Sequence, residues 1–199
     1  MVTAIVGADW GDEGKGKITD VEAAKSDVVV RFQGGFNAGH TIVNNYGKFA
    51  LHQLPSGVFH SNITNVIGNG VALDPDKFVK ELKSVTDRGV PQPKIMISNR
   101  AQVMMPYHTQ LDTYEEARLS SHSYGAKIGF QISELFGGED YLREKIDHVM
   151  ALKNVYFEHL YHKPTLNADE VYQTLMRYKE ILTPYVGDTF EFLRKAVQN

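Results

Sequence analysis

Four short apolar runs, each continuous and each ended by Gly, Asn or Ser, restrict what this chain can fold into. They are VTAIVGA (2–8), SDVVVRF (26–32), TNVIGN (64–69) and PKIMIS (93–98). A strand with one wet face alternates apolar and polar residues. Runs apolar at successive positions predict strands covered on both faces, as in a parallel sheet flanked by helices. Between the third and fourth runs, LDPDKFVKELKSVTDRGV predicts a helix. Asp74 is its expected N-cap, Pro75 suits the first helical position, and Gly89 is its stop. Phe78, Leu82 and Val85 keep helical spacing and are expected to face the sheet. Strand, helix and strand in that order form a crossover unit.

The second half reads differently. EDYLREKIDHVMALKNVYFEHLY (139–161) predicts a helix with Leu142, Ile146, Val149, Leu152, Tyr156 and Leu160 on one face. A further helix is expected from Asn167, which stands at capping-box spacing from Glu170. Pro184 should kink or divide it, and Gly187 and Asp188 should weaken it further. The expected fold is therefore α/β: a mostly parallel sheet with a phosphate-loop-like turn over residues 1–119, then a helical region over 120–199 in the same domain. The chain stops on RKAVQN, directly after a helix, with no closing strand, which fits a truncated C-terminus, although a C-terminal helix is also a common natural ending. With no cysteine, disulfide scaffolds, thiolate metal sites and cysteine nucleophiles are excluded. A net charge of −3 gives no basic field for nucleic acid or an anionic membrane, and no run is long and apolar enough for a membrane span. The expected setting is soluble and cytoplasmic.

In GADWGDEGKGKITD (7–20), residues 11–17 follow the first predicted strand and precede a predicted helix, KITDVEAAK (17–25). From Gly11 it satisfies G-x-x-x-x-G-K through Gly16 and Lys17. Gly11, Gly14 and Gly16 allow successive backbone N–H groups to turn inward into an anion nest, with a helix N-terminus behind them. Lys15 and Lys17 add point charges for phosphate. The residue after the lysine should be Ser or Thr, whose hydroxyl ligates magnesium, but Ile18 stands there. Asp12 is the best local substitute: an oxygen donor that can hold the metal, act as a base, or both.

A second loop, RFQGGFNAGHTI (31–42), follows the second predicted strand. Ligands of parallel sheets bind beyond the strand carboxyl ends, so the two loops are expected to face one pocket. There His40 would serve phosphate as an acid or hydrogen-bond donor, and Asn37 could read a base or a phosphate oxygen. His52 and the Pro-Ser-Gly turn of LHQLPSG (51–57) read as structural. IGNGVALDP (67–75) is a poor dinucleotide signal, and the His108–Asp112 pair reads as a solvated helix face.

With these segments in order, WGDEGKGK (10–17), RFQGGFNAGHTI (31–42), LHQLPSG (51–57), IGNGVALDP (67–75) and MPYH (105–108), the sequence resembles the adenylosuccinate synthetases. The resemblance is strong over the first 119 residues and continues more weakly through IGFQISELF (128–136) and the helices to the end. It implies GTP-driven ligation of IMP and L-aspartate, with Mg2+ as cofactor and a homodimer as the working assembly. By motif position, Asp12 is the base that takes the N1 proton of IMP and His40 the acid that supports phosphoryl transfer. Gly11, Asp12, Glu13, Gly14, Lys15, Gly16, Lys17, Gly39, His40 and Thr41 would contact GTP. Asp12, Glu13, Gly14, Lys15, Asn37, Ala38, Gly39 and His40 would contact IMP, and Asp12 with the Gly39 carbonyl would hold magnesium.

The departures from the family are specific. Asp9 stands where its members have Gln, and Phe36 where they usually have Asn. After Leu119 the family carries a long glycine-rich stretch that grips IMP, whereas SSHSYGAK (120–127) is the whole bridge to IGFQ here, with Lys127 near the place of a basic residue that reaches a partner subunit. The aspartate-binding loop and guanine-recognising segment belong to a C-terminal half not found in this sequence. The alternative reading is a truncated homologue that binds nucleotide without ligating.

Overall fold

The computed structural model describes residues 1–7, 14–36, 39–119 and 129–198. In chain order the elements are α1 (Lys15–Ala23), β1 (Val28–Gly34), β2 (His40–Asn44), β3 (Gly47–Leu51), β4 (Thr64–Leu73), α2 (Pro75–Thr86), β5 (Lys94–Ser98), β6 (Gln102–Val103), α3 (Pro106–Leu119), β7 (Phe130–Gln131), α4 (Ile132–Leu135), α5 (Glu139–Val155), α6 (Ala168–Leu182), β8 (Val186–Gly187) and α7 (Thr189–Gln198). A short 3-10 turn, Ser56–Phe59, precedes β4, and a π-helical turn, Tyr156–Leu160, follows α5.

The fold is mixed α/β around a mostly parallel sheet. β4 pairs in parallel with β1, β5 and β6, β8 pairs in parallel with β5, and β7 closes the β6 edge antiparallel. The β2–β3 hairpin forms its own two-stranded ladder. The α2 helix matches its sequence signals closely. Asp74 accepts the Lys77 N–H at 3.1 Å, Pro75 opens the first turn, Phe78, Leu82 and Val85 are buried, and Gly89 takes a φ of 88° beyond the end. One apolar cluster runs from Ile42 in the hairpin through β4, β5, α2 and α5 to Leu182 in α6. Both halves of the sequence therefore share a core.

Four expectations require correction. Residues 1–7 join no ladder, and Val2 and Val6 are 72% and 70% exposed. A strand exists only through a neighbour, and the apolar run by itself does not supply one. The rear is not purely helical, because β7 and β8 carry two residues each into the sheet, too few to leave a period in the sequence. Leu152, Tyr156 and Leu160 are each 43% exposed, whereas Met150 and Phe157 are buried. The buried line of α5 runs through 142, 146, 149, 150 and 157, as a 3.6-residue period dictates, and the π-helical turn carries it to Phe157. Finally, Pro184 does divide the helix, but Asp188 founds the next one: its Oδ1 accepts the N–H groups of Phe190 and Glu191 at 3.0 and 3.1 Å.

Candidate nucleotide-binding site

The α1 helix begins two residues earlier than the sequence implies. Gly14 caps it with a φ of 79°, its carbonyl accepts the Lys17 N–H at 3.0 Å, and no acidic residue lies in the first turn. Lys15, Gly16 and Lys17 thus form the first turn of α1, at the positive end of its helix dipole. Gly11, Asp12 and Glu13 lie outside the described residues, as do Asn37 and Ala38.

The two loops meet. A Cβ built on Gly16 would overlap the Cβ of His40 and stand 2.6 Å from its Cγ, so only glycine admits the imidazole this close to α1. The meeting arises from the hairpin: His40 opens β2 and pairs with Leu51 of β3, which sets it against the first turn of α1. The NNYG turn between β2 and β3 was a legible hairpin signal. Thr41, next on β2, is exposed.

His40 is partly buried and touches the Pro-Ser-Gly turn: its Nε2 lies 3.0 Å from the Ser56 Oγ. Burial, the Arg31 guanidinium and the neighbouring His52 push its pKa down to about 4, so the imidazole is neutral near pH 7. Arg31 is itself depressed by burial, with Glu81 opposing the shift. One of its terminal nitrogens donates to the Gly35 carbonyl at 2.6 Å, while its Nε is buried without a partner among the described residues.

Around this centre the second loop is clamped from outside. The His52 Nδ1–H donates to the Phe36 carbonyl at 3.1 Å, and the His52 ring lies against Gly39, where a Cβ would come within 2.6 Å of it. Phe36 has its own partner, since the Lys77 ammonium lies 3.0 Å from its ring centroid. The LHQLPSG motif is fixed by α2 and β4. Glu81 accepts the backbone N–H groups of His52, Gln53 and Leu54 at 3.0 Å each. Buried Gln53 donates from Nε2 to the Asp74 carbonyl at 2.9 Å and accepts the Asp74 N–H at 2.7 Å. Ser56, Arg31 and Glu81 escaped the sequence reading because their roles come from contacts between separate elements.

His108 is not on a solvated face. It is 3% exposed and its Nδ1 accepts the Met105 N–H at 3.0 Å, so it caps the start of α3 from within the core. Among the described residues, no group of three or more His, Asp or Glu side chains could hold a metal ion. Among the same residues, no helix is long and apolar enough to cross a membrane. An open groove of about 510 Å³ between β1 and α7, lined by Val30, Phe32, Phe190 and Leu193, includes none of the expected site residues.

Compared with known proteins, residues 4–199 match the profile of the adenylosuccinate synthetase family. The chain is 40% identical to the adenylosuccinate synthetase of Dehalococcoides mccartyi strain BAV1, covering 98% of this chain and 49% of that protein. It is 41% identical to that of Bacillus cytotoxicus, covering 97% and 48%. The structure of fully ligated adenylosuccinate synthetase from Plasmodium falciparum aligns with a TM-score of 0.75 at 30% identity, covering 98% of this chain and 48% of that one. The chain thus spans about half the length of the curated relatives it matches.

Proposed function

The chain belongs to the adenylosuccinate synthetase family, and from that premise we propose that it serves GTP-dependent ligation of IMP and L-aspartate to adenylosuccinate in purine nucleotide synthesis. In this reading GTP phosphorylates the purine 6-oxygen of IMP. The aspartate amine then displaces that phosphate, leaving GDP and phosphate. The observation that carries the proposal is the contact of Gly16 with His40, which joins a phosphate-type loop to a neutral imidazole.

The chemistry asked of the protein is positioning and charge stabilisation. The first turn of α1, with Gly14, Lys15, Gly16 and Lys17, supplies N–H groups and ammonium charge to the phosphates of GTP. Gly11, Glu13 and Thr41 complete the GTP contacts, and Asn37 and Ala38 those to IMP. Asp12 takes the N1 proton of IMP, raising electron density on the 6-oxygen. His40 starts neutral because burial, and then Arg31, disfavour its cation. A polyphosphate beside it offsets the Arg31 field, so the imidazole gains or shares a proton together with the anion it serves.

Magnesium fits the donor set in chemical kind: the Gly39 carbonyl and the Asp12 carboxylate are hard oxygen donors of the sort it takes alongside substrate phosphates. When bound, it would neutralise charge on the transferring phosphoryl group. The working form is a cytoplasmic homodimer.

The test is an assay of adenylosuccinate and phosphate release with GTP, IMP, L-aspartate and Mg2+. The expected result is equal release of GDP and phosphate, lost on Asp12→Ala while GTP binding persists. Nucleotide binding without any adenylosuccinate in the unaltered chain would replace this reading with that of a non-ligating homologue. Unchanged turnover in Asp12→Ala would remove Asp12 as the base.

A further inference from the structure

His40 has two ring nitrogens, and only one proton to place on them when neutral. Which nitrogen carries it decides whether the ring can donate to an anion. Its Nε2 is engaged by the Ser56 Oγ at 3.0 Å. Ser56 is 2% exposed, and the 3-10 turn it opens is buried throughout, so its hydroxyl has no water to turn to. We propose that Ser56 is a positioning residue whose hydroxyl donates to His40 Nε2, fixing the tautomer with its proton on Nδ1 and presenting that N–H to a bound phosphate.

The direction of the bond follows from counting donors. If His40 Nε2–H donated to Ser56, the hydroxyl hydrogen would need a second acceptor, and Ser56 has no other hydrogen-bond partner among the described residues. A buried donor left unmade is the costly case, whereas a spare hydroxyl lone pair is tolerated more easily. With Ser56 as donor, both its hydrogen and the Nε2 lone pair are used. The remaining N–H on Nδ1 belongs to a ring that is only partly buried and packed against the first turn of α1. The serine is well placed to impose this choice. Glu81 pins the backbone of residues 52–54 just ahead of it, and a Cβ on the following Gly57 would press within 2.7 Å of Asn65 Oδ1, so the turn has little room to shift. The neighbouring His52 makes the same tautomer choice independently, since its Nδ1 faces a carbonyl that can only accept.

This assignment deepens the reading of His40 in phosphoryl transfer and rests on it for its catalytic consequence, but its structural content is testable without turnover. Long-range proton–nitrogen correlation spectra of the 15N-histidine-labelled full chain at pH 7, with His40→Gln identifying the signals, report the tautomer directly. The unaltered chain should show His40 protonated on Nδ1. Ser56→Ala should move the ring to the Nε2–H form or a mixture, and Ser56→Thr should retain Nδ1–H. In the ligation assay, Ser56→Ala should lower kcat roughly ten- to a hundredfold with KM for GTP little changed, and Ser56→Thr should restore it. An Nε2–H tautomer in the unaltered chain, or the same tautomer with and without the hydroxyl, would overturn the proposal. Absent ligation with the predicted tautomer shift intact would count against the functional reading instead and leave the hydrogen-bond assignment standing.

Discussion

Two regions of the molecule are held together by different means. In the first, α6 buries Val171, Leu175, Tyr178 and Leu182 while α2 buries Phe78, Leu82 and Val85, all within a single apolar cluster. In the second, α1 buries only Ala23, in a small separate group with Val29 and Ile63, while Ile18 and Val21 are 54% and 56% exposed. What α1 lacks in apolar contact is replaced by fit, Gly16 against His40, and the loop beyond is held likewise, with Gly39 against His52 and Glu81 under three backbone amides. The main core thus reaches the hairpin that carries His40, whereas the α1 half of the site depends on a few contacts that tolerate little change in shape.

The comparison can be broken by substitutions on each side. Leu175→Ala, at a fully buried position, should cost about 2–5 kcal/mol in urea unfolding. A small effect there would mean that α6 is not part of the main core. Gly16→Ala should weaken GTP binding at least about tenfold by calorimetry, or about 1.4 kcal/mol, and the overlap should also cost about 1–3 kcal/mol of stability. Full affinity in that variant would show that α1 and β2 can draw apart at this contact without harm to the site.

Asp76→Asn removes the ion pair that ties α2 to Arg177 of α6 and weakens the bond from the Tyr178 hydroxyl. Both partners are partly exposed, so the loss should be about 1 kcal/mol or less. It should also depend on pH. The hydrogen bond from Arg177 holds the Asp76 carboxyl below the ordinary carboxylate range. The stabilisation is therefore present above that range and lost as pH falls through the lowered folded value. Asp76→Asn should flatten this part of the acid limb, and parallel acid limbs in the two proteins would exclude the linkage. The smallest effect belongs to Ile18→Ala, expected within about 0.5 kcal/mol because the side chain is mostly in water.

The same division explains what could be read in advance. Asp74, Pro75 and Gly89 announced α2, Asn167 announced α6, and Pro184 ended it, because each signal acts within a few residues of itself. Runs 64–69 and 93–98 became β4 and β5 because neighbours on both sides cover them. The run at 2–8 carried the same letters without a pairing neighbour among the described residues, and composition cannot tell these cases apart. His108 was misread for a related reason: its spacing from Asp112 fits a helix surface, but its ring is buried, with Gly129 packed so closely that a Cβ there would come 3.0 Å from it. At the site, sequence singled out Gly16 and His40, whereas Ser56, Arg31 and Glu81 became visible only once β1, α2 and the turn were assembled.

The paired bonds between Gln53 and Asp74 have a consequence for chemical ageing. The side-chain amide stands in for a stretch of backbone, giving a hydrogen to one partner and taking one from the other. Hydrolysis to a carboxylate would exchange one NH2 for one oxygen and set that oxygen against the Asp74 carbonyl, turning an attraction into a repulsion under the turn that carries Ser56. Complete burial keeps water from that amide. The seat of Ser56, and through it the orientation of His40, thus leans on the survival of one buried side-chain amide.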